Sequence, residues 1–214
     1  MKKKINKLDY FIYDNSKEEF DKTLSDEERI KFGESWIRTD TLDYWRHARI
    51  RAPIVPLIKE NLNASWVTIG DGRYGNDASY IMSNGASNVH STDITDALLK
   101  IANLKGLIGD FSAENAESLS FSNSSFDYVY CKEAFHHFPR PYIALYEMFR
   151  VCRKAVILAE PRDELIDIPR FNLVMKFLLK IFRPKLMNDS GHGFEAVGNY
   201  VYKTSEREIE KIIP

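Results

Sequence analysis

Hydrophobic positions change their spacing at Trp66, and this change divides the chain into parts. Before Trp66, apolar side chains recur at helical intervals among many charges, whereas after it short apolar runs alternate with helical segments. We therefore predict a helical N-terminal cap over residues 1–65, an α/β core over 66–161 and C-terminal helices over 162–214. A chain of 214 residues is long enough to bury such a core.

Five short apolar runs in the core indicate strands, and helical segments separate most of them. We expect strands at Val67–Ile69, Asn88–Ser91, Leu104–Ile108, Phe126–Cys131 and Ala155–Ala159, and helices at Asp77–Ser83, Ala97–Ala102 and Pro141–Arg150. Alternation of strands and helices builds parallel sheets. The prediction is an α/β, Rossmann-like three-layer sandwich, in which a mostly parallel sheet carries helices on both faces.

Outside the core, capping residues and prolines mark further helices. In the N-terminal cap we expect a capping box at Ser25 and Glu28, a helix over Thr41–Arg51 and another after Pro53. In the C-terminal part we expect an amphipathic helix over 166–182, a loop over 188–193, an extended segment at Tyr200–Tyr202 and a helix opened by Ser205 and Glu208.

A glycine-rich turn, Gly70-Asp71-Gly72-Arg73-Tyr74-Gly75, joins the first predicted strand to the next helix. Glycine permits positive φ and lets a ligand approach the backbone. The following helix directs free N–H groups into the turn, and open α/β sheets bind ligands at the carboxyl ends of their strands. The turn is a candidate nucleotide-binding loop; a tight turn without a ligand is the alternative.

An acid follows the glycines at the spacing that ribose recognition requires. Asp93 ends the second predicted strand about 20 residues past the loop, where a carboxylate can bind ribose hydroxyls. A solvated turn residue is the alternative for Asp93. Together the glycines and Asp93 imply a cofactor that contains adenosine, and they leave open a dinucleotide or S-adenosylmethionine.

The segment from Asn115 to Val151 distinguishes these cofactors. In order and spacing it resembles the class I S-adenosylmethionine-dependent methyltransferases, in particular the small-molecule methyltransferase group, and the resemblance extends over Trp66 to Pro161. The matching residues are Ala116, Leu119, Phe121, Phe126, Asp127, Val129, His136, His137, Phe138, Glu147, Arg150 and Val151.

The resemblance implies S-adenosylmethionine as the cofactor and assigns residues to it. The glycine loop would pass beneath the amino-acid part, Asp93 would hold the ribose, and Asn115 would stand where the family has an acid facing adenine. The C-terminal helices would complete the substrate side. The implied cofactor-binding residues are Gly70, Asp71, Gly72, Arg73, Gly75, Asp93, Ile94, Asn115, Ala116, Lys132 and Glu133.

Two departures from the family pattern concern the glycine loop. The family usually has an acid at the position of Thr68, and its loop is usually G-x-G-x-G. In this chain the third glycine is one residue late, at Gly75, and Asp71 lies inside the loop. The hypothesis is that Asp71 supplies the missing carboxylate.

The main alternative function is an NAD(P)-dependent oxidoreductase. Its G-x-G-x-x-G spacing matches the loop, and Tyr128 and Lys132 reproduce the Tyr-x-x-x-Lys pair of short-chain dehydrogenases. That pair requires a helix, on which residues four apart share a face. Phe126–Cys131 is instead predicted to be a buried strand. A catalytically inactive nucleotide-binding protein is a further alternative.

Methyl transfer depends mainly on positioning, since the sulfonium is already activated. His136 and His137 follow the fourth strand and are candidates for a general base; local hydrogen bonding is the alternative.

Tyr44, His47 and Arg51 share one helical face and are candidates for contact with the substrate; a solvated face is the alternative. The expected acceptor is a small molecule, for example a sugar or metabolite hydroxyl.

Charge and cysteine content narrow the class of protein further. The 30 Lys and Arg residues nearly balance the 31 Asp and Glu residues, so we expect no nucleic-acid partner. Cys131 and Cys152 lack metal-type spacing, and no metal is expected. No export signal and no run of about 18 apolar residues are present, which predicts a cytoplasmic protein without a membrane span.

Two expectations concern surfaces. Basic residues Lys176, Lys180 and Arg183 lie close to one stripe of the helix over 166–182, which suggests peripheral membrane contact; packing on the sheet is the alternative.

Family sheets usually finish with an antiparallel pair, and this chain ends before one is expected. We predict that the last strands are missing, through an incomplete sheet or a truncated chain, and that the exposed fifth strand favours a homodimer.

Overall fold

The computed structural model describes residues 35–160, 192–194, 200–202 and 204–212. The first of these ranges contains, in order, a 3-10 helix at Ser35–Ile37, α1 (Leu42–Arg51), a 3-10 helix at Ala52–Ile54, α2 (Val55–Glu60), β1 (Ser65–Ile69), α3 (Asn76–Ser83), β2 (Asn88–Asp93), α4 (Ala97–Leu104), β3 (Asp110–Ala113), β4 (Phe126–Lys132), a 3-10 helix at Phe135–His137, α5 (Pro141–Val151) and β5 (Cys152–Ala159). The later ranges contain β6 (His192–Phe194), β7 (Tyr200–Tyr202) and α6 (Glu206–Glu210).

Five strands form one sheet in the order β3-β2-β1-β4-β5, and every neighbouring pair is parallel. At the end of β1, Ile69 pairs with Thr92 on one side and Cys131 on the other, so three carboxyl ends finish level. The strand order reverses between β1 and β4, and such a switch point creates a ligand-binding crevice. The predicted parallel, Rossmann-like sheet is confirmed.

Helices cover the sheet on both faces. Trp66, Tyr128 and Tyr130 point to the face that α2, α3 and α4 cover, and the rings of Trp66 and Tyr128 stack with centroids 4.4 Å apart. On the opposite face α5 packs against β4 and β5 and buries Leu145 and Met148. Because parallel strands are buried on both faces, the continuous apolar runs in the sequence identified them.

Local chemistry explains several element ends that the sequence predicted. Thr41 begins α1, since its side-chain oxygen accepts a 3.1 Å hydrogen bond from the amide of Tyr44. Pro53 and Pro56 occupy the first turns of the helices that contain them, where the missing N–H carries no cost. The expected helix at Thr41–Arg51 and the helix after Pro53 are therefore confirmed.

The strand expected at Leu104–Ile108 is wrong, because α4 continues to Leu104 and β3 begins at Asp110. Gly106 has φ +70 and ends α4, while the amide of Leu107 donates to the carbonyl of Ala102 at 2.9 Å. This is a Schellman C-cap, and such a motif places an apolar residue just after the glycine. The apolar run that suggested a strand is therefore the end of a helix and its cap.

The chain divides between Ala159 and Glu160 into two compact units. In the second unit β6 and β7 pair antiparallel, with Gly193 opposite Val201. The loop expected over 188–193 is wrong at His192 and Gly193, which are strand, whereas the extended segment at Tyr200–Tyr202 is confirmed. An antiparallel pair that we did not expect is thus present. This pair forms a separate two-stranded sheet. Within the described ranges, the parallel sheet has five strands.

The second capping box is confirmed at α6. The hydroxyl of Ser205 accepts a hydrogen bond from the amide of Glu208 at 3.2 Å, and the amide of Ser205 donates to the carboxylate of Glu208 at 3.0 Å. The first capping box, at Ser25 and Glu28, and the helix over 166–182 lie outside the described residues. No helix in the described part of the chain is long and apolar enough to cross a membrane.

Candidate functional site

The glycine loop runs between the carboxyl ends of β2 and β4. Its Asp71 amide donates a 2.9 Å hydrogen bond to the carbonyl of Thr92, which holds the loop on the end of β2. Gly70 has φ +73, and a Cβ atom at this position would collide with the Cβ of Ala134 beyond β4. Only glycine fits this position, so the loop can lie deep in the switch-point crevice.

Asp93 lies at the end of β2, directly against Gly72. A Cβ atom built on Gly72 would lie 2.6 Å from the Oδ2 of Asp93, so any side chain there would displace the carboxylate. This Oδ2 atom is buried and has no hydrogen-bond partner among the described residues. Burial, with a smaller contribution from the nearby Asp71 charge, raises the pKa of Asp93 to about 7, against the hydrogen bonds from the Ile94 and Thr95 amides.

An unpartnered buried carboxylate oxygen costs free energy, and a ligand hydroxyl is a donor that would satisfy it. Gly72 leaves open the space beside that oxygen. The residues present therefore fit the ribose of an adenosyl group, which offers two adjacent hydroxyls.

The carboxylate of Asp71 lies beneath the loop and is completely occupied by the protein. It accepts hydrogen bonds from the hydroxyls of Thr68 at 2.9 Å and Ser91 at 3.1 Å. It also accepts from the amides of Asp77 at 3.0 Å and Ala78 at 2.9 Å, in the first turn of α3. Burial and the charge of Asp77 raise the pKa of Asp71 to about 7, against the hydrogen bonds from Asp77, Ala78 and Thr68. Asp71 shapes the loop and caps α3 from below.

The turn after β3 brings Asn115 to the same edge of the sheet as Asp93. Ala113, the last residue of β3, pairs with Asp93. Two residues on, the side-chain oxygen of Asn115 accepts from the Glu117 amide at 2.8 Å, and its carbonyl accepts from Ser118 at 2.8 Å. The turn is therefore fixed by its own hydrogen bonds, with Ala116 buried inside it.

The Glu147 and Arg150 pair of α5 clamps the segment that follows this turn. Glu147 accepts a 2.9 Å hydrogen bond from the amide of Leu119, and Arg150 donates to the carbonyls of Leu119 at 2.8 Å and Phe121 at 2.7 Å. Arg150 also binds Glu147 through two contacts of 2.7 Å. Glu147 and Arg150, which belong to the sequence pattern of the resemblance, therefore stabilise the fold away from the strand ends.

A second carboxylate, Glu117, ties the same turn to the start of α5. Glu117 is buried and accepts from the amide of Arg140 at 2.7 Å and from its guanidinium Nε at 2.8 Å. Sequence reasoning missed this pair, as it missed the buried salt bridge of Arg51 with Asp77, Nε to Oδ1 at 2.5 Å. The partners lie 23 and 26 residues apart, so no local pattern reveals them.

A cluster of charged side chains fills the crevice side of β4 and α1. We call it the His47 cluster; it consists of Asp43, Arg46 and His47 of α1, Arg73 of the glycine loop, Lys132 at the end of β4 and Glu133 directly after it. Lys132 and His47 are buried, and the Lys132 ammonium lies 2.5 Å from the Glu133 carboxylate. Burial would raise the pKa of Glu133, but hydrogen bonds from His47 and Lys132 hold it well below its usual range.

The three residues predicted on one face of α1 separate in the structure. His47 points into its cluster, Arg51 is buried in the salt bridge with Asp77, and Tyr44 is half-buried. Thus α1 lies over the crevice, but the Arg51 charge is engaged by α3.

His136 and His137 lie in the 3-10 helix that follows β4, at the carboxyl edge of the sheet. Their rings are 4.1 Å apart, centroid to centroid, and both side chains are half-buried. The predicted histidines are therefore on the ligand side of the sheet, a short loop beyond Glu133.

A model of the "Methyltransferase domain" family matches residues 67–159, which include β1 to β5 and the crevice residues described above. No curated protein sequence matches the chain.

Solved structures with this fold include two Bacillus proteins and one from Methanosarcina mazei. A candidate methyltransferase from Bacillus halodurans has a TM-score of 0.53 and 20% identity over 76% of this chain and 65% of its own. The YcgJ protein of Bacillus subtilis has a TM-score of 0.53 and 20% identity over 77% and 65%. A SAM-dependent methyltransferase from M. mazei has a TM-score of 0.52 and 21% identity over 73% and 81%.

The chain thus spans 65% of the length of each Bacillus protein, and at 20–21% identity these structures support the fold alone. The family match adds the domain type: residues 67–159 are similar to the methyltransferase domain family, and the cofactor that this similarity implies is S-adenosylmethionine.

Proposed function

We propose that this protein transfers a methyl group from S-adenosylmethionine to a small-molecule acceptor. The observation that carries the proposal is the buried Oδ2 of Asp93 beside Gly72, which has no hydrogen-bond partner in the part of the chain that the structure describes. A carboxylate so placed at the end of β2 is suited to the ribose hydroxyls of an adenosyl group. The methyltransferase family match of the same segment supports this interpretation.

The cofactor-binding residues follow the strand ends. Gly70 to Gly75 would lie beneath the amino-acid part, with Arg73 reaching toward α1, while Asp93 and Ile94 hold the ribose. Asn115 and Ala116 would lie at the adenine, because their turn follows the strand that pairs with Asp93. Lys132 and Glu133 would border the methionyl end.

The bound cofactor supplies an electrophilic methyl group on a sulfonium. This chain's own residues then hold the acceptor atom in line with it, which is where most of the rate enhancement arises. One of His136 and His137, beyond β4, would remove the acceptor proton. The acceptor we propose is a sugar or another metabolite hydroxyl, and Tyr44, His47 and Arg51 of α1 are proposed on the substrate side.

The structure disfavours the oxidoreductase alternative. Tyr128 and Lys132 both lie on β4, not on a helix. The Tyr128 ring stacks on Trp66 in the core, while the Lys132 ammonium binds Glu133 at the strand end. The pair therefore lacks the shared helical face that a Tyr-x-x-x-Lys motif provides.

Calorimetric titration tests the proposal. We expect heat of binding from S-adenosylmethionine and S-adenosylhomocysteine, and none from NAD or NADP. Asp93→Asn should weaken S-adenosylhomocysteine binding about tenfold or more, because one charged hydrogen-bond acceptor is lost. The matched control is Asp110→Asn, an exposed acid at the opposite end of the neighbouring strand β3. Binding of a nicotinamide coenzyme alone would overturn the proposal.

An acceptor screen then separates an enzyme from an inactive nucleotide-binding protein. Sugars and hydroxyl metabolites are supplied with S-adenosylmethionine, and formation of S-adenosylhomocysteine above the acceptor-free rate is measured. Acceptor-dependent formation supports the enzyme, and its failure across the screen supports the binder.

The proposal includes no nucleic-acid partner, on the basis of the balanced charge. It includes a cytoplasmic location, on the basis of the free cysteines Cys131 and Cys152. It also includes a homodimer through β5, which is an edge strand of the five-stranded sheet, and peripheral membrane contact of residues 166–182. Sedimentation velocity tests the first surface and pelleting with anionic liposomes tests the second. A monomeric protein would contradict the homodimer, and a protein that does not pellet with liposomes would contradict the membrane contact.

A further inference from the structure

Both ring nitrogens of His47 lie within hydrogen-bond distance of charged groups from three elements. The Nδ1 atom is 2.9 Å from the Lys132 ammonium and 2.9 Å from the Glu133 carboxylate after β4. The Nε2 atom is 3.2 Å from Arg73 in the glycine loop, 3.0 Å from Arg46 and 3.3 Å from Asp43 of α1. The ring therefore connects α1 to both walls of the candidate methionyl site.

The chemistry of these partners selects one tautomer of His47. A guanidinium only donates hydrogen bonds, so Nε2, with two guanidinium nitrogens closest to it, has to accept. A neutral ring then carries its proton on Nδ1 and donates it to Glu133. Lys132 completes the arrangement by donating to Glu133 itself at 2.5 Å.

Each tautomer leaves contacts unmatched, and the Nδ1-protonated ring leaves fewer. Its Nδ1–H faces the Lys132 ammonium, which only donates, at 2.9 Å, but it matches Glu133, Arg46 and Arg73. With the proton on Nε2, that nitrogen would donate to Asp43, the most distant of its three neighbours, and its N–H would face the donors of Arg46 and Arg73. Asp43 is half exposed and already pairs with Arg46 at 3.4 Å. In a doubly protonated ring, the N–H on Nε2 would face the same two guanidinium groups, which only donate.

The backbone conformation of Glu133 gives a second reason why its carboxylate needs the contact with His47. Glu133 has φ +49, a left-handed conformation that is uncommon for a residue other than glycine or asparagine. Its amide donates to the carbonyl of Ala159 at 2.9 Å, which fixes the main chain. Backbone strain of this kind persists where surrounding contacts hold it and is concentrated at functional sites.

We propose that His47, in its Nδ1-protonated tautomer, is a positioning residue that holds Glu133 and Arg73 as the two walls of the methionyl end of the cofactor site. This role replaces direct contact of His47 with the substrate, since both ring nitrogens are engaged. The inference rests on the proposed function, because the methionyl end is assigned from it. The tautomer itself does not depend on any ligand.

Nitrogen NMR of the histidine-labelled, ligand-free protein tests the tautomer. The resonance assigned to His47, by its loss in His47→Asn, should show a protonated Nδ1 and an unprotonated Nε2 near neutral pH. A ring with its proton on Nε2 would overturn the inference, whatever the protein binds.

Two amide substitutions divide the contacts of the ring. In His47→Asn the amide lies where Nδ1 was and can still donate to Glu133, whereas in His47→Gln it lies where Nε2 was. We expect His47→Asn to bind S-adenosylhomocysteine within about threefold of the wild type and His47→Gln to bind it about tenfold more weakly, as expected for loss of a hydrogen bond to a charged group. Equal affinities of the two variants would contradict the inference.

Controls separate this inference from the proposed function and from misfolding. Arg49→Gln changes an exposed residue of the same helix and should leave affinity unchanged. Thermal unfolding of each variant is measured without ligand; a loss of affinity in His47→Gln that is fully explained by unfolding would count against positioning. If the wild type fails to bind S-adenosylhomocysteine, the proposed function fails, while the NMR result still decides the tautomer.

Discussion

The hydroxyl of Thr68 donates a 2.9 Å hydrogen bond to the carboxylate of Asp71, three residues farther along the chain. Thr68 stands where the methyltransferase pattern has an acid, and Asp71 turns its own carboxylate back beneath that position. The same carboxylate receives the amides of Asp77 and Ala78. The geometry explains how the loop provides a buried carboxylate although the strand carries Thr68 at this position.

We predict that Asp71→Ala lowers the free energy of unfolding by about 3 kcal/mol, because two buried amides and two hydroxyls lose their acceptor. Urea unfolding measures this. A second variant, Thr68→Asp with Asp71→Ser, returns a carboxylate to the strand and should recover at least half of the loss. An unrescued double variant would show that the position of the acid, not its presence, matters.

The contact of Gly72 with Asp93 predicts a matched pair of glycine variants. Gly72→Ala should weaken S-adenosylhomocysteine binding about tenfold or more, because its Cβ would displace the carboxylate that binds the ribose. Gly109→Ala is the control: its Cβ would meet nothing closer than Met82 Cε at 3.9 Å. Calorimetry measures both, and equal affinities would remove Asp93 from the ribose site.

The sequence predicted the parts of the fold that depend on local pattern. Buried parallel strands appear as apolar runs, and caps such as Thr41 and Ser205 mark helix starts. The third strand was misplaced, because apolar residues after Gly106 serve a helix cap, and a cap and a strand look alike over five residues. Tertiary context decided between them.

Prediction of the site was limited in a different way. The glycine loop, Asp93 and Lys132 could be placed at the sheet edge, since carboxyl ends of parallel strands meet there. Their partners could not, because the salt bridge of Arg51 with Asp77 and the contacts of His47 join segments far apart in the chain. Long-range pairing leaves no periodic signal in one sequence.

The histidines after β4 give a kinetic prediction. If His136 or His137 removes the acceptor proton, replacement by glutamine at that position should lower kcat about 100-fold or more, while S-adenosylhomocysteine affinity stays unchanged. Acceptor-saturated rates and calorimetric titration measure the two quantities. Full turnover in both single variants would remove the general-base role and leave positioning as the source of catalysis.

Asp93 makes the stability of the ligand-free protein depend on pH. Its pKa is raised from 3.8 to about 7 on folding, so the folded state holds its proton more tightly than the unfolded state. The resulting stabilisation is complete below 3.8 and is lost as pH rises to about 7. For this one group the loss amounts to at most about 4 kcal/mol, and Asp71 acts in the same direction.

We therefore expect urea unfolding to give a lower free energy at about pH 7.5 than at about pH 5.5, with Asp93→Asn showing a shallower slope by up to one proton. Asp110→Asn should keep the wild-type slope. Saturation with S-adenosylhomocysteine should also flatten the dependence, because ribose hydroxyls would donate to the ionised carboxylate and lower its pKa. A slope that is the same in Asp93→Asn and in the wild type would mean that another group, and not Asp93, takes up the proton.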